Sequence, residues 1–183
     1  MNEELKLWRS GAAIVVGTVI LGLLQAVLWS RIAPGEQFKV YTDGQYLPLP
    51  TESYHQFTSV AIFALIGVVV GVAVGTLCWH WRSVRGISTA LVVAGANGLG
   101  ALTAYLVGRV LVSGVDPASV GNSSVESVVT SAATLGNAMV IIAQPAIAVA
   151  VYTFLVAWNG QPDLSRGAQT APDVSATAPT PQS

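Results

Sequence analysis

Charged residues are scarce in this chain. Asp, Glu, Lys and Arg together make up 9% of its 183 residues, whereas soluble domains contain about 25%. A soluble domain with so little charge would expose an apolar surface and aggregate. The formal net charge is −1, so no basic surface is available and nucleic acid is not expected as a partner.

The residues of catalytic and metal sites are also scarce. The single cysteine, Cys78, excludes a disulfide within the chain and a Cys-x-x-Cys redox motif, and the two histidines are His55 and His80. Zinc-ligand spacing, a glycine-rich phosphate loop and a plausible Ser/His/Asp set are all missing. The long apolar segments contain no acidic residue for proton-coupled transport. We therefore predict that the protein is not an enzyme and that it has no cofactor and no metal.

Long apolar segments are abundant. Hydrophobic residues make up 52% of the chain, and four segments approach the roughly 20 helical residues that cross a bilayer. A helix satisfies its own backbone hydrogen bonds in lipid. The predicted fold class is an all-α membrane protein, a four-transmembrane-helix bundle with a small outer β-hairpin and a disordered C-terminal tail. The predicted spans are about 11–30, 57–80, 88–112 and 137–158.

The connections complete the domain organisation. The first apolar run is too long for a signal peptide, so it is predicted to remain as a span. The final residues are rich in Pro, Ala, Ser and Thr, which is typical of disorder. The predicted segments are an N-terminal tail 1–10, a transmembrane domain 11–158, outer loops 31–56 and 113–136, and a cytoplasmic tail 159–183.

Basic residues indicate the orientation of the spans. Lys6 and Arg9 precede the first span, and Arg82 and Arg85 lie between the second and third spans. Cytoplasmic connections carry an excess of such residues. Both termini are therefore predicted in the cytoplasm, in a multi-pass protein of the plasma membrane. Trp29 is predicted as an aromatic anchor at the outer interface.

The outer loops contain signals for local structure. Asp43-Gly44 separates two β-prone runs within residues 37–47, a pattern typical of a hairpin. Proline lacks the N–H of a strand ladder, so Pro48 and Pro50 are predicted to end the pairing. Capping-box spacing at Ser123–Glu126 predicts a short helix from about Ser124 to Ala133. Candidate residues for outer recognition are Tyr41, Tyr46, Glu52 and His55.

Rows of small residues mark where spans could pack closely. One row on the second span is Gly67, Gly71 and Gly75, and the third span carries Gly100, Ala104 and Gly108. Small residues allow helix backbones to approach each other in lipid. The short connection between these spans predicts that they are antiparallel neighbours. The alternative use of the glycine rows is a homo-oligomer.

Three amides lie within the spans: Gln25, Asn97 and Gln144. They could form hydrogen bonds between helices, or they could line a path for a substrate. Pro145 is expected to kink the fourth span. Glu52 and His55 lie three residues apart, which suits acid–base chemistry, but a helix cap and an interfacial histidine explain them as well.

An ordered set of motifs resembles a known family. The set begins with Trp29 to Pro34, the Asp43-Gly44 hairpin and Glu52-x-x-His55-x-Phe57. It continues with the turn Trp79-His80-Trp81-Arg82-Ser83-Val84-Arg85-Gly86, then Arg109, Val115-Asp116 and Pro145. The chain resembles, over residues 12–158, an actinobacterial family of four-span membrane proteins of unknown function. The resemblance implies a plasma-membrane protein of the actinobacterial envelope and supplies no activity.

The sequence thus leads to two functional hypotheses. The first is a non-enzymatic accessory or assembly partner in the cell envelope, in contact with the lipid bilayer and an unidentified membrane or envelope protein. The alternative is a small oligomeric transporter or lipid-handling protein, in which Gln25, Asn97, Gln144 and Pro145 line a path. Convergence of the amides around a cavity would favour the alternative.

Overall fold

The computed structural model describes residues 2–40, 46–49, 52–80, 87–115 and 128–158. Four helices in these ranges are long and apolar enough to cross a membrane, as predicted. The Asp43-Gly44 turn, Pro50, Tyr41 and the tail from residue 159 lie outside the described residues. The helices are α1 Asn2–Ile32, α2 Glu52–His80, α3 Ile87–Leu111 and α4 Ala143–Trp158.

The fourth span consists of two parts. A 3₁₀ helix, Ala138–Ile142, precedes α4, and the Asn137 side chain accepts a hydrogen bond from the backbone N–H of Met139. Pro145 lies in the first turn of α4, where its missing N–H costs little. The kink predicted at Pro145 stays a prediction, and the structure shows a change from 3₁₀ to α-helix just before this residue.

The helices pack in two parallel pairs. Gly100 of α3 lies against Thr18 of α1, and Gly108 lies further along beside Ala26 and Trp29. Because residue numbers rise together along this contact, α1 and α3 run parallel. The same progression relates α2 to α4, and α3 also packs against α4.

The second and third spans are in contact, as predicted for neighbours, but their glycine rows do not pack against each other. The α2–α3 contact is slight compared with the α1–α3 and α2–α4 contacts. Helix α4 packs against the row Gly67, Gly71 and Gly75, and α1 packs against Gly100 and Gly108. A short connection limits how far apart two helix ends lie, whereas complementary surfaces decide which helices pack along their length.

A three-stranded antiparallel sheet lies at one end of the bundle. Its strands are β1 Glu36–Val40, β2 Tyr46–Pro48 and β3 Val128–Ser131, in the order β2-β1-β3. The sheet is joined to the C-terminal ends of α1 and α3 and to the N-terminal end of α2. The predicted pairing of β1 with β2 is confirmed. It extends one residue past Pro48, because the N–H of Leu49 donates to the carbonyl of Gln37.

β3 corrects the helix predicted from Ser124 to Ala133. Residues 128–131 form a strand that pairs with β1, and no helix is present at 132 and 133. The β-branched run Val128, Val129 and Thr130 favours a strand. Pairing also gives the open edge of β1 a partner, which the capping-box signal did not take into account.

Two apolar clusters fill the described part of the bundle. One lies among the spans and includes Ile14, Val74, Val93 and Tyr152. The other joins Trp29, Phe63 and Ala104 to Ala133 and Leu135 in the segment after β3. The second cluster therefore attaches the sheet to the ends of the helices.

Candidate functional site

The three predicted amides form a polar layer inside the bundle, here called the amide layer: Gln25, Asn97 and Gln144. All three are at most 2% exposed. Nε2 of Gln144 donates to Oδ1 of Asn97 over 3.1 Å, and Nδ2 of Asn97 donates to the Val93 carbonyl of its own helix over 2.9 Å. One direct hydrogen bond therefore joins α4 to α3.

Gln25 extends the amide layer to the other two helices. Its Nε2 donates to the carbonyl oxygen of Phe63 on α2 over 3.3 Å. A Cβ built on Gly67 would lie 3.5 Å from this Nε2 and 3.5 Å from Cβ of Gln144. Gly67 thus lies in close contact with both Gln25 and Gln144, and all four helices meet at this level.

The amide layer is not fully satisfied by protein partners. Oε1 of Gln25 and Oε1 of Gln144 are buried without a hydrogen-bond donor in the described part of the chain. Leaving a buried acceptor unpaired costs about 1–3 kcal/mol. The layer therefore has unused acceptor capacity, which either a substrate path or a structural water could use.

Trp29 is a core residue, which corrects its prediction as an interfacial anchor. It is 0% exposed, and its indole N–H donates to the Ser59 carbonyl over 2.9 Å. The ring contacts Phe63 edge to face, with centroids 6.0 Å apart. The Gly108 backbone leaves space for the ring. Trp29 thereby links α1, α2 and α3 next to the sheet.

The sheet presents one exposed face. Paired residues of neighbouring strands lie on the same face, and residues two apart along a strand share it. Leu47 pairs with Lys39, and Lys39 pairs with Val128 on its other side, so the three form a row across the sheet. Leu47 and Val128 are each 53% exposed. We call this the exposed sheet face: Leu47, Val128 and Thr130, which are exposed, together with Gln37 and Lys39, which are half-buried.

The opposite face of the sheet is anchored by a buried carboxylate. Glu36 is 6% exposed and accepts a hydrogen bond from the hydroxyl of Thr134. A Cβ on Gly35 would lie 2.5 Å from the carbonyl oxygen of Ser131, so β1 and the end of β3 approach closely at this corner. These contacts join β1 to the segment after β3, whose Ala133 and Leu135 pack against the helices.

The other predicted recognition residues within the described ranges lie in β2 and at the start of α2. Tyr46 lies in β2, paired with Val40, and Glu52 begins α2. His55 is half-buried in the first turn of α2. In the described ranges, no group of three His, Cys, Asp or Glu residues could hold a metal ion.

Sequence analysis missed several residues that the structure brings together. The row Thr18, Gly22 and Ala26 on α1 has the same four-residue spacing as the predicted glycine rows. That spacing was an available signal. Glu36 and Thr134 are 98 positions apart, and no local pattern indicates their contact.

Together these features describe a protein with four apolar helices suited to a membrane, a buried amide layer and an anchored sheet at one end. Residues 18–166 match the family described as "Protein of unknown function (DUF2567)". Because the match covers most of the chain, the protein belongs to that family. No curated protein and no solved structure matches it.

Proposed function

We propose that this protein is a non-enzymatic accessory or assembly partner in the plasma membrane of an actinobacterial cell envelope. In this proposal both termini are cytoplasmic and the sheet is on the outer side. The exposed sheet face then contacts another membrane or envelope protein. The observation that carries the proposal is this face, a row of Leu47, Lys39 and Val128 on an anchored sheet.

The energetics of the sheet support a recognition role. An isolated two-stranded hairpin is marginally stable in water, and a third strand and packing on other elements add stability. The chain supplies that packing through Glu36, Thr134, Ala133 and Leu135, while large aliphatic side chains stay exposed on the other face. The exposed Leu47 and Val128 side chains supply apolar area for a protein contact, and Lys39 between them supplies a polar group.

The edge strands of the sheet favour recognition through the exposed sheet face over the addition of a strand. The sheet has two edge strands, and in β3 the carbonyl of Thr130 already accepts a hydrogen bond from the N–H of Val115. Pro48 lies in the other edge strand, β2, and offers no N–H for another strand. A partner that adds a strand to this edge would lose that hydrogen bond. We therefore propose side-chain contacts across the exposed sheet face instead of strand addition.

The second candidate function is a small oligomeric transporter or lipid-handling protein. The amides do lie side by side, with unused acceptors on Gln25 and Gln144. However, none of the three amides lines the apolar groove between α1 and α2. Tight packing around the amides supports helix association better than a path.

A photoreactive amino acid at Leu47 tests the accessory role. In living cells, the proposal predicts a reproducible adduct with one other membrane or envelope protein. The yield of the adduct should fall when Val128 is replaced by Asp, because burying this new charge in the contact costs free energy.

The matched control places the same photoreactive group at Leu65. This residue is 66% exposed on the apolar surface of α2, away from the sheet. The same adduct from Leu65, no adduct from Leu47, or adducts only with further copies of the chain would each contradict the accessory role.

A further inference from the structure

A groove separates α1 from α2 at the end of the bundle opposite the sheet. Its volume is about 240 Å³, and its walls are almost entirely apolar. Gly17 contributes to the opening, because a Cβ there would have no neighbour within 4 Å. The lining residues are Ala13, Ile14, Gly17, Thr18, Leu21, Val74, Leu77, Cys78 and His80.

Apolar walls alone do not select an occupant in a membrane, because lipid tails surround every span. Charge at the mouth can select one. Arg9 is exposed and lies one helical turn before Ala13, on the same side of α1 as the groove. His80 lines the groove at the end of α2 and is also exposed.

An apolar groove with basic residues at its mouth matches a phospholipid, which has an apolar tail and a phosphate headgroup. The lining residues of α1 extend from Ala13 to Leu21, a rise of about 12 Å along the helix. An acyl chain can lie along this length while its phosphate stays at the membrane surface. Arg9 is placed to meet that phosphate, and its charge favours a lipid whose headgroup carries no cation to offset the phosphate.

We propose that the α1–α2 groove binds one phospholipid with an anionic headgroup. One acyl chain occupies the groove, and Arg9 and His80 contact the headgroup at its mouth. The bound lipid fills the gap between two helices whose hydrogen bonds lie nearer the sheet, at Gln25 and Trp29. This inference does not depend on the exposed sheet face, which lies at the other end of the bundle.

Native mass spectrometry of the full chain tests the proposal. The protein is extracted from vesicles of phosphatidylcholine and phosphatidylglycerol in equal parts. We expect one retained lipid, with phosphatidylglycerol favoured about fivefold, the factor that corresponds to ~1 kcal/mol per basic residue at a membrane surface. Arg9→Gln should remove the preference and leave the folded protein unchanged.

Gly17→Leu and Gly11→Leu form a matched pair of variants. A Cβ at either position has open space around it, but only Gly17 lines the groove. Gly17→Leu should abolish lipid retention, and Gly11→Leu should preserve it. Thermal unfolding of both variants verifies that they fold.

Cys78 supplies a second measurement, because it is the only thiol of the chain and it lines the groove. Phosphatidylglycerol should slow its alkylation by a membrane-permeant maleimide more than phosphatidylcholine does. Equal retention of both lipids, no retained lipid, or retention unaffected by Gly17→Leu would overturn the proposal. None of these outcomes would alter the expected adduct from Leu47.

Discussion

Gly22→Ala should lower the free energy of unfolding by about 2–3 kcal/mol, the cost of overpacking a close contact. A Cβ at Gly22 would overlap the carbonyl oxygen of Gly100, and a Cβ at Gly100 would lie 2.6 Å from the carbonyl oxygen of Thr18. Both obstacles are backbone atoms, so no side chain can rotate away. The α1 and α3 helices would have to separate. Denaturant titration in mixed micelles measures the effect.

Gly98→Ala is the control for this prediction. It lies on α3 as Gly100 does, but a Cβ there would meet nothing within 4 Å. Alanine also favours a helix more than glycine does. The free energy of unfolding of the Gly98→Ala variant should stay within about 0.5 kcal/mol of the parent protein's or rise. Equal stability of the Gly22→Ala and Gly98→Ala variants would contradict the close contact between α1 and α3.

Gln144→Leu should lower the free energy of unfolding by about 1–3 kcal/mol, because it leaves the buried Oδ1 of Asn97 without its donor. Asn97→Leu should be similarly destabilising. The double variant should cost less than the sum of the two, with a coupling energy of about 1 kcal/mol, since hydrogen bonds between membrane helices contribute about that amount. A double-mutant cycle in micelles measures the coupling.

Gln25→Leu supplies the comparison for this cycle. Gln25 donates to Phe63 and not to either of the other amides. Its coupling with Gln144→Leu should be smaller than the coupling between Gln144 and Asn97. Absent coupling between Gln144 and Asn97, with unchanged stability of the single variants, would contradict a structural amide layer and favour a path through it.

The helices and the first hairpin were predictable because their signals are local. A charge-poor run long enough to cross a bilayer predicts a long apolar helix almost by itself. The predicted third span, 88–112, lies within one residue of Ile87–Leu111 at each end. An Asp-Gly pair between two β-prone runs similarly indicates that the strands β1 and β2 pair.

The contacts between helices were not predictable in the same way. Small residues at four-residue spacing occur on α1, α2 and α3. The spacing does not indicate which helix packs against each row. The bond from Gln144 to Asn97 depends on how α4 lies on α3. The sequence did not predict β3 for a different reason. The pairing of β3 with β1 joins residues more than 85 positions apart.

The central claim is that the spans pack as the parallel pairs α1–α3 and α2–α4. Disulfide formation in native membranes tests it most directly, in a Cys78→Ala background. A Cβ at Gly67 would lie 3.5 Å from Cβ of Gln144, within the range that a disulfide requires. Gly67→Cys with Gln144→Cys should therefore form a disulfide on mild oxidation. Gly67→Cys with Gly98→Cys should not, and disulfide formation only in this second pair would contradict the packing.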